Sequence, residues 1–153
     1  MSAPLFRQAV RGDVAAISAL RAGDELGRGR ETASPDVYLE AFDRMSAQPG
    51  NSLVVGVIED EIVACYQLTL IEGLSRGGAR RAQIEAVRVA PGRRGAGIGH
   101  LVMRDAEARA RAAGCALVQL SSDRSREAAH AFDESLGYEA SHLGFKRSLR
   151  PDG

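Results

Sequence analysis

The sequence has few of the residue types that build metal centres and disulfide frameworks. Its two cysteines, Cys65 and Cys115, are isolated, and its three histidines follow no metal-binding spacing. Cys65 lies in an apolar, strand-like run, and Cys115 comes just after Gly114. Both are therefore predicted to be small buried hydrophobic residues, and no bound metal is expected.

Net charge and long apolar runs are also missing. The 20 basic and 20 acidic residues cancel, so the composition favours neither nucleic acid nor an anionic membrane as a partner. No stretch approaches the roughly 20 apolar residues of a membrane span, and the first residues lack the apolar core of a secretory signal. At 153 residues, one cytoplasmic domain over residues 4–150 is expected.

What the sequence does contain is an alternation of helix-like and strand-like segments. Amphipathic spacing predicts helices over residues 14–21, 35–48, 98–113 and 125–136. Strand-like runs occupy residues 5–10, 52–58, 62–71, 82–90 and 115–122, and residues 138–149 are predicted to form one or two short strands. This order predicts an α+β fold with about four helices and a mixed, mostly antiparallel sheet of six to seven strands.

The segment VRVAPGRRGAGIGHLVM, residues 87–103, carries the first functional signal. Three alternating glycines follow two arginines and precede a predicted helix. The first turn of a helix presents unpaired backbone N–H groups and the positive end of the helix dipole. Glycines would let phosphate oxygens approach these groups closely. The segment therefore predicts an anion site, although a plain glycine-rich turn between a strand and a helix is the alternative.

Two common phosphate-binding motifs are excluded for this segment. A dinucleotide fingerprint that began at Gly95 would require glycine where His100 stands, and a P-loop requires a Gly-Lys pair that the sequence lacks. The pattern that remains is Arg94-x-x-Gly97-x-Gly99. With its preceding strand, IEAVRVAPGRRGAGIGHLVM resembles motif A of the GNAT superfamily of N-acetyltransferases. AAHAFDESLGYEASHLGFKRSL resembles the family's C-terminal block, and LTLIEGLSRGGARRAQIEAVRV is similar to one bacterial subgroup.

The resemblance implies acetyl-CoA as co-substrate and acetyl transfer to a primary amine of a small molecule or an amino-acid-like acceptor. In the family, the pantetheine arm pairs with the preceding strand, here at the backbones of Val87 and Val89. Such pairing requires a sheet that is splayed between its fourth and fifth strands. The family's diphosphate rests on backbone N–H groups, a role that falls here on Arg94, Gly95, Ala96, Gly97, Ile98, Gly99 and His100.

A base is needed because an alkyl ammonium is mostly protonated near neutral pH. Glu85 lies in the central strand and is the candidate, acting through water. In a regular strand it shares a face with Gln83, Val87 and Val89, but a bulge would change that facing. The alternative is an ordinary strand carboxylate paired with Arg88 or with a basic loop residue.

The proton for the departing thiolate marks a difference from the family. The usual tyrosine of the Phe-Tyr pair is replaced, because the sequence has Phe132-Asp133. An aspartate with an ordinary pKa is ionised at neutral pH, so Asp133 could serve only if burial raised its pKa. His130 is the second candidate for the acid, and the expected consequence is slow or acid-independent transfer. Arg126 is a candidate for the adenosine 3′-phosphate.

Other functions remain open from the sequence. A non-catalytic acetyl-CoA-binding sensor or regulator is made plausible by Asp133. An interaction or nucleic-acid module has only the basic loop in its favour, and a solvated hairpin loop is the preferred interpretation of Arg76, Arg80 and Arg81. The polar segment 22–34 is expected to be a mobile loop. Its acidic residues, Asp24, Glu25 and Glu31, would suit a cationic amine. A homodimer is expected from the apolar C-terminal strands.

Overall fold

The computed structural model describes residues 2–22 and 33–151. The predicted loop at 22–34 therefore falls almost entirely outside the described residues, and so do its acidic side chains Asp24, Glu25 and Glu31. The described chain forms two compact units. The larger unit ends at Leu120, and the smaller unit begins at Ser121.

A five-stranded sheet forms the centre of the larger unit, and the strands lie in the order of the sequence. The first three neighbouring pairs are antiparallel, and only the pair β4–β5 is parallel. This confirms the predicted α+β class and the mixed, mostly antiparallel sheet. The strands are β1 (Leu5–Gln8), β2 (Asn51–Ile58), β3 (Glu61–Ile71), β4 (Arg81–Val89) and β5 (Leu117–Leu120).

Five helices occur in the described residues, and one of them, α3, is a single turn inside the predicted basic loop. Short 3-10 turns at Arg11–Asp13 and Pro91–Arg93 precede α1 and α4 respectively. Among the helices of this part of the chain, none is long and apolar enough to cross a membrane. The helices are α1 (Val14–Ala22), α2 (Pro35–Ala47), α3 (Ser75–Gly78), α4 (Ile98–Ala112) and α5 (Glu127–Ser135).

The two faces of β3 pack against different helices, because successive side chains of a strand point to opposite faces. On one face, the buried Cys65 packs with Ile17 of α1 and Val55 of β2. On the other face, the fully buried Tyr66 reaches Asp105 of α4. The sheet therefore has an α1 face and an α4 face, and this division decides which side chains can meet near β4.

A partly buried polar network joins the α4 face to β1. The hydroxyl of Tyr66 donates to the carboxylate of Asp105 at 2.5 Å, and Nε of Arg109 donates to the same oxygen at 2.7 Å. Arg109 also donates to the backbone carbonyl of Phe6 at 3.3 Å. Burial, with Asp105 adding to it, raises the pKa of Tyr66 above its usual value. The phenol therefore stays protonated and acts as a structural donor.

Replacing Tyr66 with phenylalanine is expected to lower the free energy of unfolding by about 1–3 kcal/mol. The reason is that the partly buried carboxylate of Asp105 would lose the donor that the fully buried Tyr66 supplies. Urea unfolding followed by circular dichroism measures the change. Tyr38→Phe is the matched control, since the Tyr38 hydroxyl only accepts a 3.3 Å bond from the Ala33 N–H in an exposed contact. Equal losses in both variants would contradict a stabilising role for the network.

The predicted C-terminal strands are wrong. Residues 139–149 have no regular secondary structure, and no strand pairing of the described residues includes them. Leu143, Phe145 and Leu149 are 79%, 90% and 93% exposed. Alternating apolar residues indicate which face of a strand would be buried, but a strand also needs a partner for its backbone hydrogen bonds. The sheet consequently has five strands in the described residues rather than six to seven.

Candidate functional site

The predicted anion loop connects the end of β4 to the start of α4. After Val89, the 3-10 turn at Pro91–Arg93 is closed by the Arg93 N–H, which donates to the Ala90 carbonyl at 2.9 Å. The chain then turns through Gly95 and Gly97 and begins α4 at Ile98. The sequence therefore predicted both the turn and the start of this helix correctly.

Gly95 and Gly97 are needed for the backbone conformation of this loop. Their φ angles are +81° and +78°, in the left-handed region that side chains other than glycine rarely adopt. Apart from the adjacent residues of the chain, no group among residues 2–22 and 33–151 lies within 4 Å of where a Cβ would stand at either position. The space beside this backbone is therefore open to a ligand.

The start of α4 directs backbone donors into that open space. Leu101 N–H is the amide that bonds back to the residue before the helix, donating to the Gly97 carbonyl at 3.3 Å. Helix geometry leaves the amides ahead of it, including those of Ile98 and Gly99, without an acceptor inside the helix. The positive end of the helix dipole lies at the same place and adds to the attraction of these donors for an anion. An anionic diphosphate fits this loop, because bare backbone, donors and open space coincide.

One edge of β4 is open next to the loop. Its pairing with β5 covers only Arg81–Ile84, so in the described chain the second half of β4 has a strand partner on its β3 side alone. Ala90 N–H donates to the Val63 carbonyl at 2.8 Å, and the alternation of an antiparallel pair then directs the polar groups of Val87 and Val89 to the open side. This separation at β4 and β5 is where the sequence predicted a splay.

Two guanidinium groups bond to carbonyls on that open side. Nη1 of Arg88 donates to the Val87 carbonyl at 2.8 Å, and Nε of Arg94 donates to the Val89 carbonyl at 3.4 Å. The neighbouring Arg93 instead makes an ion pair with Glu61 at 3.7 Å. Any chain that pairs with this edge of β4 would compete with Arg88 and Arg94 for these acceptors.

A β-bulge at Ala86 interrupts β4 and sets the facing of Glu85. Glu85 pairs with Gln67 and Arg88 pairs with Cys65, so β4 takes three steps where β3 takes two. Ala86 has a φ of +56°, an uncommon angle for alanine whose cost is on the order of 1–3 kcal/mol. Cross-strand partners share a face. Glu85 therefore faces the α1 side with Arg88.

This bulge corrects the facing expected for a regular strand. Glu85 keeps the predicted facing with Gln83, but it does not share the face of Val89, which pairs with Ala64 on the α4 side. The physical reason is the extra residue, since one added residue exchanges the two faces of everything beyond it. Alternation alone could not reveal this, because an alanine in a strand gives no sign of a bulge.

The half-buried carboxylate of Glu85 accepts a hydrogen bond from one side-chain amide, which in turn bonds to a second. Nε2 of Gln83 donates to Oε1 of Glu85 at 3.2 Å, and Nε2 of Gln119 donates to Oε1 of Gln83 at 2.9 Å. The sequence suggested that Gln83 shares this face, but it gave no sign of Gln119, which comes from β5. The pairing of Gln119 with Gln83 is set by the register of the two parallel strands, which no local pattern reveals.

Cys65 lies on the same face and is buried, as predicted. Burial raises the pKa of its thiol, although the guanidinium groups of Arg21 and Arg88 act in the opposite direction. A protonated thiol is a poor nucleophile. Cys65 is therefore part of the core rather than a reactive group.

The other candidate residues lie in the smaller unit, on α5 or directly before it. Arg126 precedes the helix and is exposed, while His130 and Asp133 are half-buried. Burial raises the pKa of Asp133, and the positive potentials of His130 and Arg126 oppose that change. Nε2 of His130 lies 2.7 Å from the Asp123 carbonyl. Because a carbonyl can only accept, the Nε2 proton of His130 is engaged in that bond.

Asp133→Asn is expected to raise the melting temperature at pH 7 and to leave it unchanged near pH 3. Burial holds the pKa of Asp133 in the folded protein above that of an ordinary aspartate, so ionisation costs stability as the pH rises from the unfolded-state pKa to the folded-state pKa. The asparagine variant avoids this cost, whereas at pH 3 both side chains are neutral. Thermal unfolding at the two pH values is the measurement, with Glu134→Gln, an exposed carboxylate of the same helix, as control. A lower melting temperature for Asp133→Asn at pH 7 would contradict the expectation.

The basic loop between β3 and β4 is tied to its own unit rather than simply solvated. Arg80 makes two hydrogen bonds to the carboxylate of Glu72, at 3.0 and 2.9 Å, and a further one to the carbonyl of Ala113. Ala116 N–H donates to the Arg80 carbonyl at 2.8 Å. Arg80 thus anchors this loop to the end of α4, where a cation is favourable.

Comparison with known proteins connects this geometry to a family. The acetyltransferase (GNAT) family matches residues 18–138. A transcriptional regulator from Bacillus halodurans C-125 is 38% identical, with a TM-score of 0.92, covering 95% of this chain and 99% of its own. A putative acetyltransferase from Agrobacterium tumefaciens str. C58 is 31% identical, with a TM-score of 0.85 and the same coverage.

A more distant structure shows the same fold. An acetyltransferase from Trypanosoma brucei is 27% identical, with a TM-score of 0.77, and covers 95% of this chain and 99% of its own. No curated protein matches the sequence. The family match and these solved structures extend over most of the described residues.

Proposed function

Since this chain belongs to the GNAT family of acetyltransferases, we propose that it transfers the acetyl group of acetyl-CoA to a primary amine of a small molecule or an amino-acid-like acceptor. Family membership supports acetyl transfer in general, and the acceptor class is our proposal. The observation that carries it is the glycine loop at the start of α4 beside the open edge of β4. Donors for an anion and an unpaired strand edge are thereby adjacent.

The co-substrate would be held almost entirely by backbone. The open edge at Val87 and Val89 would pair with the pantetheine arm, and we assign the adenosine 3′-phosphate to Arg126. When bound, acetyl-CoA supplies an activated thioester carbonyl. The diphosphate would accept hydrogen bonds from the backbone N–H groups of Arg94, Gly95, Ala96, Gly97, Ile98, Gly99 and His100.

Glu85 is assigned as the general base, acting through water on the acceptor ammonium. The side chain of Glu85 is half-buried, and its carboxylate accepts a hydrogen bond from Gln83. This bond fixes the orientation of the carboxylate. Taking up this proton leaves a neutral amine, which is the form that attacks a thioester. The bulge at Ala86 supports the assignment, because bulges next to active sites commonly redirect a side chain.

A strong proton donor for the thiolate is missing from this proposal. Asp133 occupies the family's tyrosine position, and its raised pKa increases the protonated fraction. His130 is the second candidate, but its Nε2 proton is engaged by Asp123. We therefore expect slow transfer in which the thiolate leaves largely without acid assistance.

The decisive experiment combines a binding and a turnover measurement. Calorimetric titration with CoA is expected to show one site, and release of free thiol from acetyl-CoA is expected with at least one member of a panel of primary amines. Failure to bind CoA would contradict the whole proposal. Binding without release of thiol with any amine would contradict the enzymatic role alone.

A non-catalytic acetyl-CoA-binding regulator is the second candidate. It is favoured by Asp133 in place of the usual acid and by the similarity to the Bacillus halodurans protein that is named a transcriptional regulator. Tight acetyl-CoA binding without turnover would support it, and salt-dependent binding to DNA would extend it to nucleic acid. The exposed Leu143, Phe145 and Leu149 are the apolar residues that support a homodimer. The cytoplasmic location stays a prediction.

A further inference from the structure

We propose that Gln119 and Gln83 are positioning residues that fix the carboxylate of Glu85, the side chain to which the proposed function assigns the base. Neither glutamine acts on the acceptor in this proposal. Gln119 fixes the orientation of the Gln83 amide, and Gln83 fixes the carboxylate. The inference rests on the proposed function for the role of Glu85, but the hydrogen bonds themselves belong to the free protein.

The orientation follows from the chemistry of a side-chain amide, which has one accepting end and one donating end. Gln83 and Gln119 are directly paired across the parallel strands. Nε2 of Gln119 donates to Oε1 of Gln83 at 2.9 Å, which engages the accepting end. The donating end of Gln83 is then directed to Oε1 of Glu85 at 3.2 Å. Without Gln119, the Gln83 amide could rotate and present its oxygen to a carboxylate.

The location of these two hydrogen bonds supports a role beyond packing. The pair after Gln83–Gln119 is Ile84–Leu120, and it is the last pair of β4 and β5. Glu85 is therefore the first residue of β4 beyond the parallel pairing, at the point where the two strands separate. No residue of β5 pairs with Glu85 there. The hydrogen bond from the side-chain amide of Gln83 holds its carboxylate instead.

Three ionisable groups lie on the α1 side of the sheet, the side that Glu85 faces. Arg88 is on the same strand beyond the bulge, Cys65 is on β3, and Arg21 comes from the last turn of α1 near Cys65. The amide of Gln83 donates to the carboxylate of Glu85 and so sets its direction.

The test follows the protonation of Glu85 in the free, full-length protein. The side-chain NH₂ signal of Gln83 in a ¹⁵N NMR spectrum should titrate with an acid midpoint in the wild type, and Glu85→Gln should abolish that titration. In Gln83→Met the signal is lost, so the midpoint in every variant is read from the ¹³C signal of the Glu85 carboxyl. A carboxylate that loses a donor is protonated more readily, and Gln83→Met is expected to raise the midpoint by about one pH unit.

The role of Gln119 is separated from a direct effect by a double-mutant cycle. Gln119→Met should raise the Glu85 midpoint in the wild-type background but not further in Gln83→Met. Gln67→Met is the matched control, because Gln67 is a half-buried glutamine of the same face whose amide donates to Asn51 at 3.0 Å. Additive shifts, or an equal shift in Gln67→Met, would overturn the proposal.

Turnover provides an independent second measurement. With an accepted amine, Gln119→Met should move the acidic limb of the pH profile of kcat/KM by the same amount as the NMR midpoint, and KM for acetyl-CoA should stay constant. A uniform loss of kcat at every pH, without movement of the limb, would overturn the positioning role. If the wild type acetylates no amine, the proposed function fails, and the NMR cycle still decides whether the two glutamines hold the carboxylate.

Discussion

Glu85→Gln is expected to lower kcat/KM by about 100- to 10,000-fold, the contribution typical of a positioned general base. The glutamine side chain keeps the shape of Glu85 and can still bond to Gln83, but it cannot take up a proton from the acceptor ammonium. KM for acetyl-CoA should be unchanged, because the contacts assigned to the co-substrate do not include Glu85: they are backbone groups of β4, of the loop and of α4, and the side chain of Arg126. Steady-state kinetics from pH 6 to pH 9.5 provide the measurement.

The pH dependence gives this prediction its sharpest control. The deficit of Glu85→Gln should shrink at high pH, where more of the acceptor amine is already neutral. Glu72→Gln makes the same chemical change in a carboxylate bonded to Arg80 in the β3–β4 loop, and it should leave kcat/KM unaffected. A Glu85→Gln enzyme with wild-type kinetics across this range would show that the base is elsewhere.

Gly97→Val is expected to weaken CoA binding at least about tenfold, with a larger effect than any side-chain truncation in the loop. Valine is disfavoured at a φ of +78°, so the turn must change to accommodate it. The new side chain would also occupy the open space in front of the first amides of α4. Each 1.4 kcal/mol lost in binding corresponds to about a tenfold rise in Kd, and calorimetry with CoA measures that rise.

Gly92→Val is the matched control for this prediction. Gly92 lies in the 3-10 turn of the same loop, has no left-handed φ and has open space where a Cβ would stand. Its replacement should leave Kd near the wild-type value. Thermal unfolding of both variants shows whether they are folded. Unchanged CoA affinity in a folded Gly97→Val protein would rule out this loop as the diphosphate site.

Much of the larger unit could be predicted from sequence, because it depends on local patterns. The apolar spacing on α4, the glycines before it and the apolar runs of β2 and β3 each leave a periodic, turn or strand signal. The resemblance of the segment around Gly97 to a GNAT motif then ordered these elements, and membership of the family is confirmed. The separation of β4 from β5 also lies where that resemblance required it.

The parts that sequence could not predict depend on partners far along the chain. The prediction of strands at 138–149 was wrong because alternating apolar residues do not provide a neighbouring strand to pair with. The bond from Gln119 to Gln83 joins residues 36 positions apart, and no local pattern encodes it. The bulge at Ala86 is marked by an alanine, which is common in every type of element.

The extra residue at Ala86 reverses which face of the sheet each later residue of β4 points to. Removing it would restore even alternation and transfer Arg88 to the α4 face or Glu85 to the same side as Val89, depending on which half of β4 slides. The first outcome would drive a charge into the layer that contains Tyr66, and the second would move Gln83 together with Glu85 and so withdraw Gln83 from Gln119. A single-residue deletion at this point should therefore be tolerated far less well than most substitutions nearby, and the length of β4 should be under stricter constraint than its composition.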